Sequence, residues 1–166
     1  RDAWVLDGPA SNAMAHFINL AAFLIGSTPD SSAVPAHIEA ELYRANDIAS
    51  YDTFSARVSF NDGSSMTVLL THSCAREIEP TVSVSGDGVH SIWQDLSDRI
   101  LLDIRGEVRS IPRAVDGREP MIQTLIDHDS SGPVATLETS LAHTIIVNGA
   151  LEASRIHSIP DSACRQ

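Results

Sequence analysis

The longest run of apolar residues in the chain extends from Val5 to Gly26 and predicts a largely buried helix. Pro9 suits the first turn of such a helix, because its ring fixes φ and its missing N–H would have no partner there. Gly26 and the polar residues and proline that follow it form a stop signal. The pattern therefore places one long helix near the start of the chain.

Three polar residues interrupt this apolar run: Asn12, His16 and Asn19. Their i, i+4, i+7 spacing places them on one stripe of the predicted helix. One interpretation is a polar seam whose groups are hydrogen-bonded to a neighbouring loop or to water, which is ordinary for a half-buried histidine. The other interpretation is the wall of a site, in which His16 gives and takes a proton and the two amides orient it. The residues alone leave both open.

The middle of the chain alternates between apolar and polar residues, which is typical of strands with one buried face. Ala36–Arg44 is predicted as a strand, although its Glu and Ala content also allows a helix. Phe54–Phe60 and Met66–Leu70 are predicted to form a hairpin around the turn Asn61-Asp62-Gly63. Further strands are predicted over Glu79–Ser85, Val89–Gln94, Arg99–Ile104 and Glu107–Ile111.

Two helices are predicted near the end of the chain, over Pro120–His128 and Thr136–Ala153. Gly149 lies within the second helix and costs about 1 kcal/mol relative to Ala. The order of elements predicts one α+β domain over residues 1–166, with a mostly antiparallel open sheet of about six or seven strands and helices packed on one face. The other face carries small, weakly charged residues, so it is either solvated or a subunit interface.

The amino-acid composition of the chain limits the classes of molecule that it is expected to bind. The chain has 166 residues, 43% hydrophobic and 20% charged, with 22 acidic residues against 11 basic ones. This acidic balance argues against nucleic acid and against an anionic membrane surface. The longest apolar run is interrupted by polar residues and is too short for a membrane span. All the basic residues are Arg, so a lysine Schiff base is excluded in this chain.

The spacing of the cysteine and glycine residues predicts neither a metal site nor a cofactor site. Cys74 and Cys164 are too few for a disulfide framework, which favours reduced thiols and a cytoplasmic location. His72 lies two residues before Cys74, but no third metal ligand follows at a typical spacing, so no metal is expected. The run Gly86-Asp87-Gly88 begins like a dinucleotide motif, but the segment after it is predicted as strand, so it is interpreted as a turn.

Four stretches together resemble a known family: LDGPASNAMAHFINLAAFLIG, HIEAELYRAN, FNDGSSMTVLLTHS and LAHTIIVNGALEAS. They are similar to the C-terminal domain of the Gfo/Idh/MocA family, NAD(P)-dependent oxidoreductases that act mostly on sugars and inositols. The resemblance implies a parent enzyme whose N-terminal Rossmann domain binds NAD or NADP and supplies a lysine from an E-K-P motif. Neither feature occurs in this chain, so the chain alone is expected to be inactive and to bind no cofactor.

The resemblance also implies site residues. The family motif D-x-x-x-H places its histidine at His16 and its aspartate at the position of Asn12. An imidazole, with a reference pKa of about 6.5, suits removal of a hydroxyl proton near neutral pH. His16 is therefore expected to be the catalytic acid/base, with Asn12, Asn19, Tyr43 and His72 binding the substrate.

The expected function is that of the substrate-binding and oligomerisation half of a dehydrogenase or reductase acting on a sugar, polyol or inositol-like compound. The open face of the sheet is then expected to join two subunits. The alternative is a scaffold or regulatory domain that kept the fold without the redox chemistry. Asn12 in place of an aspartate is the feature that favours this alternative.

Overall fold

The computed structural model describes residues 7–28, 30–94, 99–112, 118–127 and 136–164. They belong to two compact units, one built from residues 1–76 and 137–166 and the other from residues 77–136. The elements, in chain order, are α1 (Ala15–Ile25), β1 (Pro35–Arg44), β2 (Thr53–Phe60), β3 (Ser65–Thr71), β4 (Thr81–Gly86), β5 (Val89–Gln94), β6 (Arg99–Ile104), β7 (Glu107–Pro112), α2 (Arg118–Ile126), α3 (Leu137–Ala153), β8 (Ile156–Ser158) and α4 (Asp161–Cys164).

These strands form two sheets of four, with the orders β3-β2-β1-β8 and β4-β5-β6-β7. The α+β class and the mostly antiparallel pairing are confirmed. The prediction of a single sheet of six or seven strands is wrong, because the described strands between residues 81 and 112 pair with one another and with no other described strand. Whether residues 1–166 act as one domain stays a prediction.

The first unit is built on the predicted hairpin. β2 alternates as expected, with Phe54, Ala56 and Val58 buried and the residues between them more exposed. β1 pairs antiparallel with β2, which places Leu42 opposite Phe54 on the same face. The short strand β8 pairs parallel with β1 and was not predicted, since three residues show no detectable alternation. The alternation thus decides which face of this sheet becomes the core.

Helices α1 and α3 cover that buried face. Ile18 and Ala22 of α1 and Ile146 and Ala150 of α3 belong to the same buried cluster as the strand residues. A Cβ added to Gly149 would lie 2.5 Å from Cδ1 of Ile38 on β1. The glycine therefore lets α3 approach the sheet closely, which accounts for a residue that is unfavourable within a helix.

Helix α1 is shorter than the sequence predicts. It begins at Ala15, and the predicted helical residues from Pro9 to Met14 form tight turns, with the N–H of Met14 donating to the carbonyl of Pro9 at 3.0 Å. The reason lies outside the segment: Gly8 sits directly on the buried ring of Tyr51. Asn12 is therefore not on the helix that carries His16. The earlier residues, Val5 and Leu6, lie outside the described residues.

The second unit is a meander with two tight hairpins. Asp87-Gly88 joins β4 to β5 and Arg105-Gly106 joins β6 to β7, and all four residues have positive φ, between 51° and 90°. Positive φ at both central positions is the type I′ turn, whose twist suits a two-residue hairpin. The interpretation of residues 86–88 as a turn is thereby confirmed. Helix α2 belongs to the same unit. It begins and ends two residues earlier than the predicted helix over Pro120–His128.

The substitution Gly26→Ala should strongly destabilise the first unit. An added Cβ would lie 1.8 Å from the carbonyl oxygen of Ser31, so backbone must move at the end of α1. We expect a loss of more than about 2 kcal/mol in the free energy of unfolding, measured by urea denaturation. Gly86→Ala is the matched control, because an added Cβ there meets nothing within 4 Å. Equal stability of the two variants would contradict the packing described for Gly26.

Candidate functional site

A cleft of about 350 Å³ opens on the first unit. Two loop segments form it, one before α1 and one between β1 and β2, and the residue after β3 completes it. Its lining residues are Asp7, Gly8, Pro9, Asn12, Ala13, Asn46, Ile48, Tyr51, Asp52 and His72. The polar groups lie beside an apolar surface of proline, alanine and isoleucine, a mixture typical of small-molecule sites.

Tyr51 joins the two walls of the cleft. Its side chain is 1% exposed, and its ring lies so close to Gly8 that a Cβ there would come within 2.4 Å of Cζ. Its hydroxyl and that of Ser11 are 3.2 Å apart and share a hydrogen bond. Burial raises the pKa of Tyr51, and the Asp7 carboxylate raises it further, against a lowering effect of Ser11. Tyr51 therefore keeps its proton at neutral pH and anchors the first wall to the core.

The first wall carries a carboxylate and an amide in contact. The Nδ2 of Asn12 donates to Oδ2 of Asp7 at 2.9 Å, and the N–H of Gly8 donates to Oδ1 of Asp7 at 2.8 Å. Both Asp7 and Asn12 are exposed. A carboxylate accepts hydrogen bonds only, so the amide of Asn12 has its nitrogen towards Asp7.

The second wall is organised by the carboxylate of Asp52, which is 2% exposed. The backbone N–H groups of Ala45 and Asn46 and the side chains of Asn46 and Thr53 donate to it. Burial alone would raise the pKa of Asp52, but these hydrogen bonds outweigh burial and lower it. Asp52 is thus an ionised group that fixes the loop carrying Asn46.

The predicted site residues fall into two groups. Asn12 and His72 line the cleft. His16 is exposed, in the first turn of α1 four residues after Asn12, and it is not among the cleft-lining residues. It is open to solvent rather than enclosed in the core.

Asn19 and Tyr43 do not line the cleft. Asn19 is half-buried, and its Oδ1 is buried without a hydrogen-bond partner among the described residues. Tyr43 lies on β1, where its hydroxyl donates to Glu41 at 3.2 Å and its ring centroid is 5.8 Å from that of His157 on β8. The structure therefore does not bring these two residues to the cleft with Asn12.

Sequence reasoning missed Asp7, Asn46, Tyr51 and Asp52. Asp7 precedes Gly8-Pro9, a turn signal that the prediction of a continuous helix obscured. The other three lie in the short polar segment between two predicted strands, and loops held on a rigid scaffold are common places for binding residues. The polar composition of that loop could have indicated a binding segment. Its closeness in space to Asp7 could not be detected from the sequence.

Within the described ranges, no group of three or more His, Cys, Asp or Glu side chains is placed to hold a metal ion. Cys74 is exposed, and the side chain of Cys164 lies outside the described part of the structure. Among the helices described, none has the length and apolar character needed to cross a membrane.

No family model and no curated protein matches the sequence. Solved structures match the fold. UDP-N-acetylglucosamine 3-dehydrogenase GnnA from Acidithiobacillus ferrooxidans aligns with a TM-score of 0.71 at 13% identity, over 95% of this chain and 48% of that protein. A variant of KijD10, a 3-ketoreductase from Actinomadura kijaniata in complex with TDP-benzene and NADP, gives 0.67 at 12% identity, over 94% and 50%. Levoglucosan dehydrogenase in complex with NADH gives 0.63 at 14% identity, over 89% and 49%.

These proteins are oxidoreductases of the Gfo/Idh/MocA type, so the resemblance indicated by the sequence is confirmed in the fold. At 12–14% identity the likeness concerns the fold and not the chemistry. The chain spans about half the length of each of these structures.

The substitution Asp52→Asn should destabilise the second wall, because an amide NH₂ would face backbone N–H donors. We expect a loss of about 2–3 kcal/mol at pH 7. The pKa of Asp52 in the folded protein lies below its ordinary 3.8, so its stabilisation is present above pH 3.8 and is lost as pH falls through the folded-state pKa. The difference between wild type and variant should therefore shrink below pH 3.8.

Urea unfolding between pH 3 and pH 7 measures this difference. Asp30→Asn is the control, since Asp30 is exposed and has no described hydrogen bond. A difference at Asp52 that is independent of pH would contradict the role assigned to its ionised form.

Proposed function

We propose that this chain is the substrate-binding half of a nicotinamide-dependent dehydrogenase or reductase that acts on a sugar, polyol or inositol-like compound. The observation that carries the proposal is the fold match, which covers 89–95% of this chain and about half of three oxidoreductases, two of them solved with NADP or NADH. In the full-length parent, a separate domain would bind NAD or NADP. The class includes nucleotide-linked sugars, since two of the similar structures carry a UDP-sugar in their name or a TDP compound in their complex.

His16 is the proposed acid/base of this reaction. Oxidation of a carbinol carbon requires that the hydroxyl proton leaves as hydride moves to the cofactor, and an imidazole can accept that proton. Exposure of His16 at the start of α1, four residues along the chain from the cleft residue Asn12, supports this assignment. Asn12 and His72 would contact the substrate in the cleft, whereas Asn19 and Tyr43 have no such support.

The alternative function is that of a scaffold or regulatory domain without redox chemistry. It is favoured by one observation: Asn12 stands at the aspartate position of the family motif, and its amide contacts Asp7. An amide cannot stabilise an imidazolium by charge. A parent protein without a cofactor-binding domain would support this alternative.

Oligomerisation through the open sheet face belongs to the same proposal. On this face β1 presents Glu39 and Glu41, β2 presents Arg57, and β3 presents Leu69 with 74% of its surface exposed. A large apolar side chain amid polar ones is common at subunit interfaces. A cytoplasmic location is also proposed, as expected for a nicotinamide-dependent enzyme with few cysteines.

His16→Ala in the full-length parent should lower turnover by about 10²-fold or more, because the proton acceptor is removed. Binding of NAD(P), followed by fluorescence of the reduced cofactor, should remain unchanged. His90→Ala is the matched control, since His90 lies on β5 in the other unit. Near-normal turnover of the His16 variant would remove His16 from the mechanism.

Leu69→Glu should weaken the proposed oligomer, because it places a charge in the middle of the interface. Sedimentation equilibrium of the parent should show a rise in the dissociation constant of about tenfold or more. Val34→Glu is the control, since Val34 is exposed but precedes β1. If wild type is a monomer at high concentration, or both variants behave alike, the interface is elsewhere or absent.

A further inference from the structure

Two aspartate–asparagine pairs line the cleft, one on each wall. Asn12 donates from Nδ2 to Oδ2 of Asp7, and Asn46 donates from Nδ2 to Oδ2 of Asp52, both at 2.9 Å. Since a carboxylate only accepts, each amide must direct its NH₂ group to its aspartate. The side-chain oxygen Oδ1 of each asparagine takes part in no described hydrogen bond. It is therefore the atom that remains available to a ligand.

The two aspartates differ in their remaining capacity to accept hydrogen bonds. Asp52 is buried, and five hydrogen bonds from four groups converge on its oxygens. Asp7 is exposed, and each of its oxygens accepts one described hydrogen bond, from Gly8 or from Asn12. Because a carboxylate oxygen has about two acceptor positions, Asp7 still has capacity for donors from a ligand.

The cleft is poor in groups that bind anions. Its lining residues include two aspartates and one histidine, His72, but no arginine, and the whole chain has no lysine. Phosphate groups in proteins are usually held by arginine, by lysine or by clustered backbone N–H groups. In this cleft, the backbone N–H groups of Gly8 and Asn46 are already bonded to carboxylates.

From these contacts we infer that Asp7, acting directly and through the orientation of Asn12, makes the cleft selective for the hydroxyl groups of an uncharged polyol. Hydroxyls donate to Asp7 and to the amide oxygens of Asn12 and Asn46. A phosphorylated or nucleotide-linked sugar brings negative charge towards Asp7 and is disfavoured. The inference rests on the proposed function and narrows its class of substrate.

The test compares neutral and phosphorylated members of matched pairs in the full-length parent. Isothermal titration calorimetry measures binding of glucose against glucose 6-phosphate, and of myo-inositol against myo-inositol 1-phosphate. Wild type should bind the neutral member of a pair at least about tenfold more tightly, because the Asp7 carboxylate repels the phosphate group. Asp7→Asn should bring this ratio close to one.

Two further variants separate charge from structure. Asp7→Glu keeps the charge and should keep the preference for the neutral member. Asp30→Asn removes an exposed charge that is not in the cleft lining and should also keep it. Circular dichroism of each variant reports whether the fold is unchanged.

Three results would overturn the inference: tighter binding of the phosphorylated member, a ratio that Asp7→Asn leaves unchanged, or no binding of any compound. Hydride transfer to NAD or NADP is measured separately with the same compounds. If binding and its dependence on Asp7 are as expected but no hydride is transferred, the proposed redox function fails while the selectivity of the cleft stands.

Discussion

The packing of Gly8 on the ring of Tyr51 is the contact on which the geometry of the cleft depends. Tyr51 belongs to the loop before β2 and is almost fully buried, so its position is set by the core of the first unit. No side chain larger than a hydrogen fits at Gly8 above that ring. The chain is therefore held against the core just before it turns into α1, and Asp7 and Asn12 are carried to the rim of the cleft.

The second wall of the cleft is stabilised by hydrogen bonds to a buried carboxylate. Asp52 is a buried carboxylate whose burial is offset by donors from its own loop, and those donors fix the backbone at Ala45 and Asn46. One wall thus depends on aromatic packing and the other on charge-assisted hydrogen bonds. Both walls are loops, but each is tied to the rigid sheet, an arrangement that suits a binding site.

The proposed function divides the chemistry between this chain and a separate cofactor-binding domain. The described cleft offers acceptors for hydroxyl groups, and its residue Asn12 precedes the exposed His16 by four residues. Hydride transfer needs a nicotinamide, which the proposal places on the other half of the enzyme. The contact between Asp7 and Asn12 also bears on the departure from the family motif, because it puts a carboxylate next to the amide. The proposed selectivity of the cleft rests on that carboxylate and does not require a role for His16.

The sequence by itself determined the elements whose pattern is local. The alternation over Phe54–Phe60, the turn at residues 86–88 and the span of α3 all depend on neighbouring residues, and each was predicted closely. The resemblance to a family also came from local stretches. Only the tertiary structure decided that the strands separate into two sheets, that α1 starts at Ala15, and that Asp7 and Asp52 meet at one cleft. These features depend on contacts between distant parts of the chain, such as Gly8 with Tyr51, and hydrophobic periodicity carries no information about them.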